Sequence, residues 1–437
     1  MGKKSIKQSR LKHFNSPSWY NIPMSDDKIQ TLKGFRDFLG PQARARQWML
    51  SQIREVFELF GFEPLETPAL EYAALLTGKY GEEADKLIYT FQDRGGRDVA
   101  MRYDQTVPTA RVISQYQNDL ALPYKRYQMQ PVWRADKPQK GRYREFTQCD
   151  IDILGSTSPM ADAEIMACTY AAFKKIGFKN VKLLINDRKT LVATLEKYAT
   201  GSVPVFSIIQ TIDKLDKIGN DGVVAELTQK GLANDAAKNV ITDTQNIPIS
   251  DNLGQISNFT VSLGVAPEDI VYTPTLARGL DYYTGLIFEV SLPEYPTGSL
   301  GGGGRYDNLI KQLGGPDVPA VGIAFGFDRM IDAAQDLNLI ASAQKGTDVL
   351  VTVFSEELAE LSAQVATQLR AAGIKSEVFP GTDKLEKQLK YADKKGVPFV
   401  VVIGPEEAKN NSVTLKNLKT REQETLSIPR LITLLSS

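Results

Sequence analysis

The apolar positions between residues 41 and 61 follow a helical period. The spacings of three and four fall on Ala45, Met49, Ile53, Val56, Phe57 and Phe60. This is the pattern of an α-helix with one apolar face, and Pro41 suits its first turn as Gly61 suits its C-cap. We therefore predict a long amphipathic helix. The following stretch FEPLETPALE contains Pro64 and Pro68, which permit only an edge strand or an irregular extended segment.

From residue 87 the apolar runs become short or alternate with polar residues. LIYTF, VAMRY and DIDIL are separated by turn-rich pieces, which is typical of antiparallel strands. Helical spacing returns at 107–116 and 160–176, and VKLLI predicts a strand at 181–185. Residues 187–262 show helical spacing and few strand signals, so we predict a helical insertion. Strands resume with GLIFEV at 285–290 and VGIAFG at 321–326, which predicts one sheet split by the insertion.

After Gln344 strand and helix patterns alternate strictly. DVLVTVF, SEVF and PFVVVI are strand-like, and helical patterns at 356–372 and 384–394 separate them. A βαβαβ order predicts a separate domain with a mostly parallel sheet.

The composition limits the classes of protein that need consideration. A chain of 437 residues, 42% hydrophobic and 24% charged, is expected to form two to four domains of roughly 100 to 200 residues. No apolar run approaches the roughly 20 residues that cross a bilayer, so we expect no membrane partner. The 52 basic residues equal the 52 acidic ones, and any polyanion site must therefore be local. Two cysteines without a CxxC pair fit a reducing compartment, and we predict a cytoplasmic protein.

The N-terminal segment is basic. Its first 24 residues contain Lys3, Lys4, Lys7, Arg10 and Lys12 but no acid, and they lack the apolar core of a secretory signal. We expect a disordered basic arm over residues 1–30, with an organellar presequence as the less favoured alternative. The sole histidine, His13, lies in this arm, which argues against a histidine base or a histidine-ligated metal. We predict no fixed metal site.

Candidate chemistry begins with two clusters in the first half of the chain. MRYDQT, residues 101–106, places Asp104 and Thr106 after a stretch with a strand pattern. At such positions these residue types often cap a helix. WRADKPQKGRYREF, residues 133–146, continues into TQCDID. If KPQKG is a hairpin turn, alternate side chains of the strand that follows it share one face. These are Arg142, Arg144, Phe146, Gln148, Asp150 and Asp152. Cations and acids on one face suggest a zwitterionic substrate beside a polyphosphate; a salt-bridged surface sheet is the alternative.

Two further clusters lie between residues 277 and 330. ARGLDYYTG places Arg278 in a tight turn before Tyr282 and Tyr283, although tyrosine pairs are more often core residues. GGGGRYDNL lies between strand-like runs, where glycine permits a backbone to approach a ligand closely. VGIAFGFDRM would place Arg329 at the start of a helix near that ligand. No GxxxxGK[ST] occurs, so a Walker-type phosphate loop is absent.

Together and in this order, the four clusters resemble class II aminoacyl-tRNA synthetases, and RGLDYYTG with GGGGRYD is similar in detail to the histidyl-tRNA synthetase family. The resemblance extends from about Lys33 to the C-terminus. It implies an α+β catalytic domain with an antiparallel sheet flanked by helices, formed by residues 31–186 and 263–340. It also implies a helical insertion at 187–262, a C-terminal α/β anticodon-binding domain at 346–437, and a homodimer whose interface uses residues 41–68.

The resemblance also implies a reaction and roles for individual residues. Histidine and ATP would give histidyl-adenylate and pyrophosphate, with Mg²⁺ on the β- and γ-phosphates, and histidine would pass to the terminal adenosine of histidine tRNA. On the ATP side, Arg134 and Arg278 would contact the α-phosphate, Arg142 the phosphates, and Phe146 and Arg329 the adenine. On the amino-acid side, Asp104, Thr106 and Gln148 would hold the ammonium and carboxylate ends, and Asp152 and Tyr283 the imidazole, with Tyr282 beside them.

One departure and several alternatives accompany this resemblance. Class II enzymes commonly have Glu two residues after the motif arginine, where this chain has Asp136. A synthetase-like subunit that activates ATP phosphoribosyltransferase is a second reading, although such relatives usually lack an anticodon domain. A non-catalytic nucleic-acid-binding accessory is a third. Prolyl, threonyl or glycyl specificity is conceivable, but RGLDYYTG argues against it.

Overall fold

The computed structural model describes residues 29–78, 85–139, 141–278, 282–296 and 298–436. The expected basic arm, with His13, lies outside these residues apart from its last two positions. Within the described ranges, no helix has the length and apolar content to cross a membrane.

The described chain forms strands and α-helices with the following bounds. The strands are β1 (Glu63–Pro64), β2 (Leu70–Tyr72), β3 (Thr90–Gln92), β4 (Asp98–Met101), β5 (Tyr124–Trp133), β6 (Glu145–Leu154), β7 (Lys182–Asp187), β8 (Ile270–Tyr272), β9 (Leu286–Ser291), β10 (Gly301–Arg305), β11 (Ala320–Phe325), β12 (Val349–Val351), β13 (Ser376–Val378), β14 (Phe399–Val402), β15 (Ser412–Asn417) and β16 (Gln423–Ser427). The α-helices are α1 (Gly40–Leu59), α2 (Ala73–Leu76), α3 (Thr106–Gln115), α4 (Pro159–Ile176), α5 (Arg188–Leu195), α6 (Val205–Ile212), α7 (Leu215–Lys230), α8 (Asn234–Gln245), α9 (Asp251–Ser262), α10 (Leu309–Gln312), α11 (Phe327–Asp336), α12 (Ala359–Ala371), α13 (Leu385–Lys395), α14 (Pro405–Lys409) and α15 (Ile428–Ser436).

The main sheet has the order β1-β5-β6-β11-β10-β9-β7-β8. Its pairs are antiparallel except β1 with β5 and β7 with β8, and β1 lies at the edge. The apolar face of α1 packs under this sheet, where the Phe57 and Phe325 ring centroids lie 5.5 Å apart. The predicted amphipathic helix, the edge strand and the antiparallel sheet interrupted by helices are confirmed.

The segment from residue 188 to residue 262 is helical, as predicted, but its helices pack in two places. Helices α5 to α8 share a core of their own, which also contains Ala277. Helix α9 instead packs against α4, and its Leu253 and Ile256 belong to the core of the main sheet. The domain limits at 187 and 262 stay predictions.

The C-terminal sheet has the order β13-β12-β14-β15-β16. The predicted βαβαβ unit is present, and β12 pairs in parallel with β13 and β14. The prediction of a mostly parallel sheet is wrong, because β14, β15 and β16 pair antiparallel. That hairpin contributes few apolar side chains to the core, mainly Val413, Leu415 and Leu426. Its sequence therefore resembles that of a polar loop.

Candidate active site

A cavity of about 920 Å³ lies on the face of the main sheet opposite α1. Each residue for which the sequence predicted a role in binding or catalysis lies on its wall: Asp104, Thr106, Arg134, Arg142, Phe146, Gln148, Asp152, Arg278, Tyr282, Tyr283 and Arg329. These residues come from four separate parts of the chain. The structure therefore brings the four sequence clusters together, while the role of each residue stays a prediction.

Strand β6 supplies one side of the cavity by simple alternation. Phe146, Gln148, Asp150 and Asp152 face the cavity, while the intervening Cys149, Ile151 and Ile153 face the apolar core. Alternation is the property of a strand that separates the two sets.

The predicted shared face does not extend to Arg144. Strand β5 ends at Trp133 and β6 begins at Glu145, and the described residues between them belong to neither strand. From that loop Arg142 reaches the cavity, whereas the Arg144 Nε donates to the backbone oxygen of Asp136 at 3.0 Å. The expectation for Arg144 was wrong because strand alternation does not continue through a loop.

Gly302 and Gly322 form part of the floor of the cavity, and Gly304 lies next to them in the sheet. A Cβ atom at Gly302 would lie 1.7 Å from the Arg278 Nη1, and one at Gly322 would lie 1.9 Å from the Asp152 Oδ1. One at Gly304 would lie 2.3 Å from the Leu286 backbone oxygen. The missing side chains thus allow the guanidinium and the carboxylate to lie directly on the sheet.

Arg278 reaches the floor from a strained backbone position. Its φ of 44° lies in the left-handed region that non-glycine residues seldom occupy. Its Nη1 donates to the Glu289 Oε1 on β9 at 2.7 Å. Sequence analysis missed Glu289, although the pairing of Glu289 with Gly302 explains why the two side chains meet.

Arg134 lies between two aromatic rings at the other end of the cavity. Its guanidinium carbon is 4.3 Å from the Tyr103 ring centroid and 5.2 Å from that of Phe146. Its Nε donates to the Tyr103 backbone oxygen at 3.0 Å. The unusual Asp136 is buried and pairs with Arg142 at 3.1 Å, so the shorter acid holds the arginine of the loop.

Asp328 fixes the start of helix α11 relative to β6. Its Oδ1 accepts from Arg36 and Arg46 at 2.6 Å each, and its Oδ2 accepts from the Thr147 backbone N–H at 3.2 Å. Arg329 follows Asp328 and Phe146 precedes Thr147. Asp328 therefore connects the two segments that carry the predicted adenine contacts, Phe146 and Arg329. Sequence analysis did not identify this role of Asp328.

Acidic residues dominate the remaining end of the cavity. Asp104 caps helix α3 by accepting from the Val107 N–H at 3.2 Å, yet it also lies on the cavity wall. Asp152 forms a buried ion pair with Arg126 and accepts a hydrogen bond from the Tyr306 hydroxyl. Burial raises the pKa of Asp152 and raises that of Asp150 well above its usual range. Sequence analysis assigned no role to Arg126 or Tyr306; the register of β5 with β6, which pairs Arg126 with Asp152, is the signal that it lacked.

Some polar atoms at this end have no partner within the described part of the chain. The Asp150 Oδ1 and the Gln148 Oε1 are buried and make no hydrogen bond there. Buried acceptors without donors are costly. A ligand that brings N–H groups would satisfy them.

Asp150→Asn should stabilise the unliganded protein, increasingly so as pH rises. Asp150 has a raised pKa in the folded protein, so folding takes up a proton above the unfolded pKa of about 3.9. Stability from this group is therefore lost as pH rises, and the neutral amide removes that loss. We expect the Tm of the variant to exceed that of the wild type by a margin that grows from about pH 5 to about pH 8. A margin that shrinks over this range in thermal unfolding would contradict a raised pKa of Asp150.

Comparisons with known proteins agree with this geometry. The family model described as histidyl-tRNA synthetase matches residues 34–330, and that described as anticodon binding domain matches residues 348–437. The histidine–tRNA ligase of Cytophaga hutchinsonii is 39% identical over 91% of this chain and 97% of its own length. That of Wolinella succinogenes is 39% identical over 90% and 95%.

Solved structures show the same fold. The histidyl-tRNA synthetase from Nostoc sp. PCC 7120 superposes with a TM-score of 0.80 at 30% identity, covering 94% of this chain and 99% of that chain. An ATP phosphoribosyltransferase regulatory subunit/histidyl-tRNA synthetase from Bacillus halodurans shares the fold at a TM-score of 0.67 and 20% identity, covering 83% of this chain and 96% of that one. With family models matched along most of its length and relatives well above 30% identity, this chain belongs to the histidyl-tRNA synthetase family of class II aminoacyl-tRNA synthetases.

Proposed function

We propose that this chain is a histidine–tRNA ligase, which activates histidine with ATP and transfers it to the 3′ end of histidine tRNA. The observation that supports this most is the shared cavity, where Arg134 and Arg278 lie on the same wall as Asp104 and Asp152. Such a cavity offers cations to a phosphate and acids to an amine. The relatives named above are histidine–tRNA ligases.

The ATP side follows from the cationic residues. We propose that Arg134 and Arg278 bind the α-phosphate, that Arg142 meets the outer phosphates, and that Phe146 and Arg329 enclose the adenine. Guanidinium groups suit this task because they give charge-assisted, bidentate bonds to phosphate. Mg²⁺ would be bound with the β- and γ-phosphates, whose charge it offsets; the described residues contain no cluster of three or more metal-ligating side chains.

The amino-acid side follows from the acids and amides. We propose that Asp104, Thr106 and Gln148 hold the ammonium and carboxylate groups, and that Asp152 and Tyr283 reach the imidazole with Tyr282 beside them. A site that hydrogen-bonds both ring nitrogens leaves buried groups unpaired with another amino acid, a penalty that can reach roughly 10⁴-fold.

No base from the protein is needed for the first step. The carboxylate of histidine is already a nucleophile that attacks the α-phosphorus, and pyrophosphate leaves. The protein then contributes orientation and stabilisation of the charge that develops on the α-phosphate.

Histidine-dependent ATP/pyrophosphate exchange tests this proposal. We expect exchange with histidine and with none of the other nineteen amino acids, followed by charging of histidine tRNA. Silence with every amino acid from a folded protein would favour the regulatory or the accessory reading, and exchange without transfer to tRNA would separate the two steps.

We further propose a cytoplasmic homodimer that uses residues 41–68. Exposed apolar side chains continue from this segment into the small sheet β2-β4-β3, where Tyr72 and Phe91 stand in register on either side of Val99. Both rings are exposed although they are large and apolar. Aromatic residues of this kind are common in the centre of protein interfaces.

Phe91→Glu should weaken this dimer. The substitution would bury an unpaired carboxylate in the proposed interface, and we expect mostly monomers in sedimentation at micromolar concentration. Phe354→Glu is the matched control, because Phe354 is 49% exposed and Phe91 is 47% exposed. Phe354 lies in the C-terminal domain, so that variant should remain dimeric. A wild-type monomer, or equal loss of dimer in both variants, would overturn the proposed interface.

A further inference from the structure

We propose that Arg126 is a positioning residue, which holds the Asp152 carboxylate in place to receive an N–H of the imidazole ring of histidine. This inference rests on the proposed function, since it assumes that histidine is the substrate. It adds a residue that lies behind the cavity wall.

The position of Arg126 follows from the register of the sheet. Arg126 on β5 pairs directly with Asp152 on β6, and Asp152 pairs on its other side with Gly322 on β11. Paired residues of antiparallel strands project from the same face. The Arg126 side chain is fully buried and forms an ion pair with the Asp152 Oδ2. The carboxylate is thus fixed between a guanidinium and a glycine.

Tyr306 supports the other oxygen of the same carboxylate. Its hydroxyl donates to the Asp152 Oδ1, and the ring is buried. A carboxylate has about four lone-pair positions, so two contacts leave capacity for a ligand. Asp152 lies on the cavity wall, where that capacity is accessible.

A purely structural role explains Arg126 poorly. Burying an arginine is expensive unless an acid pairs with it, and replacing such a pair with apolar residues is often neutral or stabilising. Within the described residues, the Arg126 side chain donates one hydrogen bond, to the Gln128 Oε1 at a long 3.4 Å, and its contact with Asp152 is an ion pair. The charge of this arginine is therefore directed at the acids of the cavity.

The charges around Asp152 explain why a cation is needed there. Burial raises the pKa of Asp152, Arg126 lowers it, the Tyr306 hydrogen bond lowers it, and Asp104 raises it. Asp150 is a second carboxyl on the same strand face, and Tyr282 and Tyr283 line the cavity nearby. Without Arg126, burial and the nearby Asp104 both favour a protonated Asp152, which would offer the ring a weaker acceptor.

The test compares the effect of each substitution on the KM for histidine with its effect on the KM for ATP, both measured by pyrophosphate exchange. We expect Arg126→Met to raise the KM for histidine roughly 10- to 100-fold, the range for losing a charge-assisted hydrogen bond, and to leave the KM for ATP within a few-fold. Arg126→Lys keeps a cation and should recover part of the histidine affinity. Tyr306→Phe, which keeps the ring, should raise the histidine KM by a smaller factor.

Arg305→Met is the matched control. Arg305 and Asp162 form another buried arginine–aspartate pair, with the Nη2 and Oδ2 atoms 2.5 Å apart. Arg305 belongs to β10 of the same sheet, and alternation directs it away from the face of Gly304. Breaking the Arg305–Asp162 pair should lower the Tm, as breaking the Arg126–Asp152 pair does, but it should not raise the KM for histidine.

The pH dependence of the histidine KM distinguishes an effect of the Arg126 charge from an effect of its packing. Removing a neighbouring cation raises the pKa of a carboxyl, so the ratio of histidine KM between Arg126→Met and wild type should increase as pH falls. Taking this ratio at each pH cancels the titration of free histidine. A ratio independent of pH would contradict the part of the proposal that concerns charge.

The outcomes distinguish this inference from the proposed function. A wild-type protein without histidine-dependent exchange would refute the proposed function itself. An active wild type with an unchanged histidine KM in folded Arg126→Met, or with the same rise in Arg305→Met, would refute only the role of Arg126. If Arg126→Met does not fold, Arg126→Lys decides, because its histidine KM should still exceed that of the wild type.

Discussion

Arg278→Ala is expected to reduce histidine-dependent pyrophosphate exchange by roughly 10³-fold or more, the scale at which a preorganised cation stabilises phosphoryl transfer. Arg278 lies on the glycine floor and is held by Glu289. Its guanidinium is thus fixed before ATP arrives, so its loss removes stabilisation that water cannot replace. We expect kcat to fall much more than the KM for histidine rises.

A second arginine with an unusual backbone provides the control for this variant. Arg421 has a φ of 65°, comparable to the 44° of Arg278, but it is exposed in the turn between β15 and β16. Arg421→Ala should leave exchange unchanged, since exchange does not require tRNA. Normal exchange in Arg278→Ala would rule out the proposed role of Arg278 in adenylate formation.

Gly302→Ala is expected to cause the second largest loss, roughly 10²- to 10³-fold in exchange, because it displaces the same guanidinium. The added methyl group would lie 1.7 Å from the Arg278 Nη1. The atom that it meets is the end of a flexible side chain, so the arginine can move and the sheet can still form. We therefore expect a folded protein with an inactive site.

Gly301→Ala is the control for Gly302→Ala on the same strand. The nearest atom to a Cβ at Gly301 lies 3.5 Å away, which is an ordinary contact. This variant should retain exchange and a nearly unchanged Tm. Equal loss of activity in the two alanine variants would show that the strand itself, and not the position of Arg278, is sensitive.

The cavity-facing residues of β6 could be predicted because alternation is a local property. Gln148 and Asp152 were placed on one face from their spacing alone, and the structure puts both on the cavity wall. Arg144 was misplaced because the point where a strand gives way to a loop depends on contacts with distant residues, here the Gly34 backbone oxygen that accepts from the Arg144 N–H.

Partners from distant parts of the chain were harder to predict. The pairing of Arg126 with Asp152 requires the register of two strands, and the contact of Asp328 with Arg36 spans nearly 300 residues. Neither leaves a periodic signal in the sequence. The C-terminal hairpin was missed for a related reason, since polar edge strands and loops have similar composition.

The packing of Ala277 has a mechanical consequence. Ala277 is buried in the core of helices α5 to α8, and its backbone oxygen accepts from the Arg188 Nη1 at 3.1 Å. The next residue is Arg278, whose side chain is tethered to the main sheet. A rigid-body rotation of those four helices would therefore reorient the peptide bond between Ala277 and Arg278. Helix α9 would keep its contacts with α4. A movement of α5 to α8 relative to the main sheet would therefore change the position of the Arg278 guanidinium in the cavity.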